Sequence, residues 1–132
     1  MIDFATLQRS RTANDYLLTT AGLSSARSDG PAPEFELDAD RLIAAFRAMA
    51  RAQERCQETG FDPALRQAEF VQRSKLFRFP DTISARAVEL VPGRTGLALY
   101  SRSKYGRRDF GVNRARVERW LGLLRAAVPG SR

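Results

Sequence analysis

The segment ISARAVELVPGRTGLALYSRS, residues 83–103, is typical of two β-strands joined by a tight turn, and this hairpin sets the expected fold class. Its branched and aromatic side chains favour strands, and the Pro-Gly pair at 92–93 is typical of a type II turn. A further strand-like run, QAEFVQRSKLFRF at 67–79, ends at a Pro-Asp pair, 80–81, that also suits a turn. Consecutive strands with short connections are antiparallel. The sequence therefore predicts an antiparallel meander over residues 67–103.

Side-chain alternation assigns the two faces of this sheet. On the last strand, Leu97 and Leu99 should point to one face and Ala98, Tyr100 and Arg102 to the other. We expect the helices to cover the leucine face and the opposite face to stay open. The aromatic side chains of the first run, Phe70, Phe77 and Phe79, are expected in the core.

A helix is predicted before the meander, over residues 38–60, where apolar residues recur at helical spacing. Asp38 or Asp40 offers an N-cap and Gly60 a C-terminal stop. Cys56 should then lie near the end of this helix as a small buried side chain. The apolar face consists of Leu42, Phe46 and Met49, flanked by Ile43 and Ala50.

A second helix is predicted after the meander, over residues 113–128, with Asn113 as its N-cap. One face of this helix carries Val117, Trp120, Leu121, Leu124 and Val128. Before the first helix, EFEL at 34–37 alternates like a short strand. Residues 1–33 lack a sustained period and read as an arm, with Tyr16 packed against the domain.

The element order β-α-β-β-β-α predicts an α+β fold, with an antiparallel sheet of about four strands and two helices on one face. We expect a single domain over residues 34–132, with the extended N-terminal arm, residues 1–33, as part of it. A chain of 132 residues is long enough to bury a core of its own.

The composition argues against several classes of site. The chain has no histidine, which removes the usual general base and a common metal ligand. Its single cysteine excludes an intrachain disulfide and leaves too few ligands for a zinc site of the usual kind. We therefore expect no metal and no cofactor. The N-terminal stretch carries Asp3 and lacks the charge pattern of a signal peptide, so we expect a cytoplasmic protein without a transmembrane segment.

Charge is distributed unevenly along the chain. Residues 1–60 hold seven arginines and nine acids, whereas residues 61–132 hold fifteen cations and six acids. This asymmetry favours an anionic partner, either a small molecule, an anionic surface or a protein. Nucleic acid is disfavoured because few aromatic side chains accompany the cations.

The end of the chain resembles a known family. GLALYSRSKYGRRDFGVNRARVERWL at 96–121 is similar to the C-terminal signature of the bacterial and plastid family named domain of unknown function 1499. FVQRSKLFRFPD at 70–81 and ANDYLL at 13–18 are similar to two further segments of that family. The resemblance covers most of the chain and implies no activity. The matching residues of the signature are Ser101, Ser103, Gly106, Asp109, Gly111, Asn113, Arg114, Arg116 and Val117.

Within this signature, Arg114 and Arg116 stand at a predicted helix start, where the helix dipole already presents positive charge. In one interpretation the corner is structural: Asp109, five residues before Arg114, forms a forked pair with arginine, and Gly106 and Gly111 form the bends. In the other, the loop and its cations hold an anion. The anion-binding candidates are Ser101, Arg102, Ser103, Lys104, Arg107, Arg108, Asn113, Arg114 and Arg116.

These residues favour a non-catalytic binding or accessory module whose site is the basic corner at 101–116. The alternative is a structural or protein-interaction domain that acts through the open sheet face or by homodimerisation. No local pairing of carboxylates suggests acid–base catalysis, so no catalytic residue is assigned.

Overall fold

Seven strands and two helices build the parts of the chain that the structure, a computed structural model, describes: residues 1–9, 14–104 and 110–128. The strands are β1 (Asp15–Thr19), β2 (Gly30–Pro31), β3 (Glu34–Phe35), β4 (Cys56–Asp62), β5 (Gln67–Arg73), β6 (Pro80–Val91) and β7 (Arg94–Ser103). The helices are α1 (Ala39–Arg51) and α2 (Val112–Ala127), and a single 3-10 turn covers Phe4–Thr6.

The strands form one mostly antiparallel sheet in the order β2-β1-β7-β6-β5-β4, with β3 also paired to β7. The α+β class and the antiparallel meander β5-β6-β7 are confirmed. The predicted number of about four strands is too low, because β1 and β2 of the arm and β4 also join the sheet. Strand β1 of the arm pairs with β7 in antiparallel register, Leu18 opposite Leu99. The arm is therefore hydrogen-bonded into the sheet.

The predicted helix over 38–60 is wrong in its second half. Helix α1 starts as expected, with the Asp38 carboxylate accepting from the Arg41 N–H at 2.8 Å, but it ends at Arg51. Cys56 and Gly60, expected at the end of that helix, lie in strand β4 instead. Pairing with β5 overrides the helical pattern here, since tertiary context outweighs local propensity.

The turn predicted at 80–81 is also misplaced, because Pro80 and Asp81 are the first two residues of β6. A proline is tolerated at the first position of a strand, where it withdraws no central ladder hydrogen bond. The chain instead reverses over residues 74–79. The turn predicted at 92–93 is confirmed: Val91 pairs with Arg94, and Gly93 has the positive φ of 80° that a type II turn requires.

The main core lies between the sheet and the two helices, which both pack on one face as predicted. Its centre is a group of three aromatic rings, Phe46 of α1, Phe70 of β5 and Trp120 of α2, with ring centroids 5.8 to 6.3 Å apart. The predicted apolar face of α2 is buried along its length. Leu97 and Leu99 belong to this core.

The opposite face carries a smaller hydrophobic cluster. The prediction that this face stays open is wrong. Tyr100 and Ala98 project there as predicted, but Phe4 and Leu17 of the N-terminal segment cover them. Phe77 and Phe79, expected in the core, are 67% and 54% exposed. They lie beyond the last paired residues of β5 and β6, where no sheet face remains to cover them.

Truncation of a core ring tests this assignment. Phe70→Ala should lower the free energy of unfolding by about 3–5 kcal/mol, because it removes a buried ring and leaves a cavity. Phe77→Ala should lower it by less than about 1 kcal/mol, since that ring is mostly in water. Urea denaturation followed by circular dichroism measures both values, and equal losses would contradict the placement of Phe77.

Candidate functional site

The guanidinium of Arg116 lies at the centre of a buried polar network between α2 and the sheet. Its Nε donates to Gln72 Oε1 at 2.7 Å, and its Nη2 contacts Asp81 Oδ2 at 2.7 Å. Its Nη1 donates to Ser101 Oγ at 3.1 Å and to Asn113 Oδ1 at 2.8 Å. The Arg116 side chain is only 8% exposed. Strands β5, β6 and β7 thus each supply an acceptor to one charged group.

Asn113 extends the same network to the arm. Its Nδ2 donates to the backbone carbonyl of Asn14 at 2.8 Å and to Ser103 Oγ at 3.0 Å. Its Oδ1 accepts from Ser101 Oγ at 2.6 Å. The prediction that Asn113 caps the helix is wrong, because α2 starts at Val112 and its N-cap is Gly111, with a φ of 84°. Asn113 instead joins the arm, β7 and α2.

We call Arg116, Asp81, Gln72, Ser101 and Asn113 the arginine clasp. Its acid is Asp81, 35 residues before Arg116 in the chain. The sequence offered one signal for it: both residues stand within segments that resemble the same family. Gly106, Arg107, Arg108 and Asp109 lie outside the described residues, so the pairing of Asp109 with an arginine stays a prediction.

Two of the predicted anion-binding cations, Arg114 and Lys104, lie at the surface. The Arg114 side chain is 67% exposed and contacts Glu118 at 2.9 Å, one helical turn further on. The hydrogen bond to Glu118 raises the pKa of Arg114, and its guanidinium lies 5.9 Å from the centre of the Tyr16 ring. Lys104 follows the end of β7 and is exposed. Arg114 thus pairs with a surface carboxylate, whereas Arg116 is buried in the arginine clasp.

Arg102 is directed to the other face of the sheet. Its Nη1 donates to Ser84 Oγ at 3.2 Å, and its guanidinium lies 4.9 Å from the centre of the Tyr100 ring. Burial lowers the pKa of Arg102, whereas Tyr100 donates to Asp15 at 2.7 Å. Arg102 therefore does not converge with Arg114 and Arg116, because alternate residues of β7 face opposite ways.

More cations gather at the same end of the sheet, where β5 and β7 finish and β4 and β6 begin. Arg55, Arg73 and Arg78 line an open cavity of about 420 Å³ beside Cys56 and Val71. Sequence reasoning missed this cavity because it placed Arg55 in a helix and residues 74–79 in a strand. We call this end of the sheet the basic end. Its exposed cations are Arg55, Arg73, Lys75, Arg78, Lys104 and Arg114.

The Cys56 thiol at this cavity is poorly suited to act as a nucleophile. Burial raises the pKa of Cys56 from 9.0 to about 11, and the nearby charge of Arg116 opposes that rise only in part. A thiol with such a pKa is protonated at neutral pH, and the thiolate is the nucleophilic form.

The described residues contain no group of three His, Cys, Asp or Glu side chains arranged to hold a metal ion. In the same part of the chain, no helix combines the length and apolar character needed to cross a membrane.

Comparison with known proteins gives one match. The model of a family described as "Protein of unknown function (DUF1499)" matches residues 12–124. No curated protein and no solved structure matches the sequence.

The arginine clasp predicts unequal effects for two arginines that stand two positions apart. Arg116→Ala should lower the free energy of unfolding by about 3–5 kcal/mol, because it leaves Asp81 buried without its counter-charge. Arg114→Ala, the matched control, should stay close to wild type, since its ion pair is exposed to solvent. Urea denaturation measures both, and a larger loss for Arg114→Ala would contradict this division of roles.

The thiol environment predicts slow alkylation in the folded state. At pH 9 the thiolate fraction of Cys56 should be about fiftyfold lower in the folded than in the unfolded chain, as follows from a pKa of about 11 against 9.0. The rate of reaction with iodoacetamide, with and without urea, measures the difference. The folded-state rate should keep rising as pH approaches 11. A folded-state rate that levels off below pH 9 would contradict the raised pKa.

Proposed function

The chain belongs to the DUF1499 family, whose description names no activity, and we propose that it is a non-catalytic module that binds an anionic partner at the basic end. The observation that carries this proposal is the separation of buried and exposed cations. Arg116 is buried within the arginine clasp, whereas six other cations at the same end of the sheet are exposed.

The balance of charge at the basic end supports the proposal. Its exposed acids Glu54 and Glu118 contact Arg55 and Arg114, and Asp81 is matched by Arg116. Among the described residues, the further exposed cations Arg73, Lys75 and Arg78 give this end a net positive charge. Clustered charge of one sign attracts an oppositely charged partner and raises its local concentration.

The predicted anion contacts divide accordingly. Lys104 and Arg114 are the exposed candidates among the described residues, and Arg107 and Arg108 remain candidates from the sequence. Ser101, Asn113 and Arg116 support the corner from inside, since their polar atoms are engaged with one another. We infer that the corner combines both interpretations of the signature: a structural interior and a basic exterior.

A second candidate function is protein contact through the sheet, including homodimerisation. Strand β4 lies at one edge of the described sheet, and Gln57 and Thr59 on it are exposed. An exposed edge strand offers unpaired backbone groups to another chain. Light scattering after size-exclusion chromatography tests this candidate: association that strengthens with added salt would favour it over the electrostatic proposal.

Thermal melts in sodium phosphate and in sodium chloride at matched ionic strength test the anionic proposal. The wild-type melting temperature should rise with phosphate and saturate, because a ligand that binds only the folded state stabilises it by mass action. The double variant Lys104→Gln/Arg114→Gln should lose most of that rise, since it removes two exposed charges.

Arg125→Gln is the matched control, because Arg125 is exposed in the last turn of α2, near Arg94 at the opposite end of the sheet, and its loss also lowers the net charge. It should keep the wild-type response. Melting temperatures that follow ionic strength alone in all three proteins would overturn the proposal that the corner binds anions.

A further inference from the structure

We propose that the anionic partner is the surface of a phospholipid bilayer, into which residues 74–79 insert Leu76, Phe77 and Phe79. This inference rests on the proposed function and names the class of partner. In this arrangement the apolar side chains enter the acyl region, and Arg73 and Arg78 contact lipid phosphates at the headgroup level. We call residues 74–79 the apolar turn.

The apolar turn exposes three large hydrophobic side chains to solvent. Leu76 is 78% exposed, Phe77 67% and Phe79 54%, within six consecutive residues. Phe110 and Val112 lie beyond the neighbouring end of β7 and are 88% and 49% exposed. Single exposed apolar residues are normal on protein surfaces, but a contiguous group marks an interaction site.

Hydrogen bonds hold the apolar turn in one conformation. The Ser74 N–H donates to the Phe79 carbonyl at 3.0 Å, and the Phe79 N–H donates to Ser74 Oγ at 3.0 Å. Arg73 Nη1 donates to the Arg78 carbonyl at 3.1 Å. The rings of Phe77 and Phe79 stack with centroids 5.5 Å apart. The apolar side chains are thus presented by a formed turn, so little ordering entropy opposes docking.

Cations lie in and directly beside the apolar turn, where they could contact lipid phosphates once the apolar side chains are inserted. Lys75 and Arg78 lie within the turn and Arg73 directly precedes it, so charge and apolar surface share one short segment. Arg55, Arg73 and Arg78 line the same cavity of about 420 Å³. A guanidinium suits a phosphate because its fork of N–H groups matches two oxygens. Arg55 and Arg78 both hold a left-handed backbone, with φ of 55° and 58°.

The shape of the apolar turn favours a bilayer over other anionic partners. Leu76 is the most exposed apolar residue of the turn, and its aliphatic side chain offers no ring on which a nucleic-acid base stacks. The turn projects beyond the end of the sheet, whose last pair here is Arg73 with Pro80. A projecting apolar segment with adjacent cations suits a lipid bilayer, whose acyl chains can surround the apolar side chains while the headgroups contact the cations.

Co-sedimentation of the full chain with vesicles tests the inference. Vesicles of phosphatidylcholine with about one third phosphatidylglycerol should bind the protein, and pure phosphatidylcholine should bind it at least about tenfold more weakly. Leu76→Ser/Phe77→Ser should lose about tenfold or more of the binding to the mixed vesicles. Lys75→Gln/Arg78→Asn should show a comparable loss, and asparagine tolerates the left-handed backbone at position 78.

Two variants serve as matched controls. Val91→Ser changes a 54% exposed apolar residue at the opposite end of the sheet, and Arg125→Gln removes an exposed charge from the last turn of α2. Both should bind as wild type. Brominated acyl chains should quench the tryptophan fluorescence of the Phe77→Trp variant. They should quench the fluorescence of Val91→Trp no more than that of the wild-type protein, whose tryptophan is Trp120. Circular dichroism of each variant confirms that it folds.

The outcomes separate this inference from the proposed function. If wild type binds mixed vesicles but Leu76→Ser/Phe77→Ser binds equally well, insertion is overturned and an electrostatic site remains. If phosphate raises the melting temperature but no vesicle binds, the partner is not a bilayer and the anionic proposal stands. If neither phosphate nor vesicles act, both proposals fail. Equal binding to a single-stranded oligonucleotide and to vesicles would also overturn the choice of partner.

Discussion

The buried charge of Arg116 is the constraint on which the corner of this fold depends. Burying a guanidinium away from water costs on the order of several kcal/mol of free energy. A counter-charge and hydrogen-bond acceptors must replace the lost solvation to offset this cost. Asp81 supplies the charge, and Gln72, Ser101 and Asn113 supply the acceptors. Because these residues come from β5, β6, β7 and α2, the guanidinium is satisfied only when all four elements are in place. The arginine clasp therefore specifies one arrangement of the corner.

The clasp also explains how two arginines are tolerated at the start of a helix. Positive charge there opposes the helix dipole. The Arg116 guanidinium pairs with Asp81 of the sheet, and the Arg114 guanidinium pairs with Glu118, one turn further along the same helix. Each arginine therefore has a carboxylate that offsets the unfavourable field. The same division leaves Arg116 to the interior and Arg114 to the solvent, so one short motif serves both stability and surface charge.

Local patterns were enough to predict the meander, the faces of β7 and the buried face of α2, since each depends on spacing along a single element. Pairing over long distances was not predictable. Residues 56–60 carry the end of a helical pattern, yet they form a strand because β5 offers backbone partners and Arg47 of α1 holds Glu58 at 2.8 Å. Asp81 carried the signal of a turn residue, and only the folded sheet brings it to Arg116.

The candidate site was predicted in part for the same reason. The signature indicated Arg114 and Arg116 and the basic character of the corner, because these features are visible in consecutive residues. It did not indicate the cavity beside Arg55 and Arg78, which forms only after β4 and β5 pair. Phe77 and Phe79 alternate like residues of a strand, and period alone cannot show that the strand has already ended at Arg73.

The arginine clasp and the apolar turn are linked through the register of β5 and β6. Gln72 and Asp81 stand opposite each other in the ladder, and both contact Arg116. The ladder then ends one pair later, at Arg73 and Pro80, which leaves residues 74–79 to reverse the chain beyond the sheet. Leu76 and Phe77 in this reversal have no core within reach, so their exposure follows from the register that satisfies Arg116. A persistent apolar surface beside clustered cations is then a consequence of the fold, and it is the feature that a charged interface with an apolar interior would recognise.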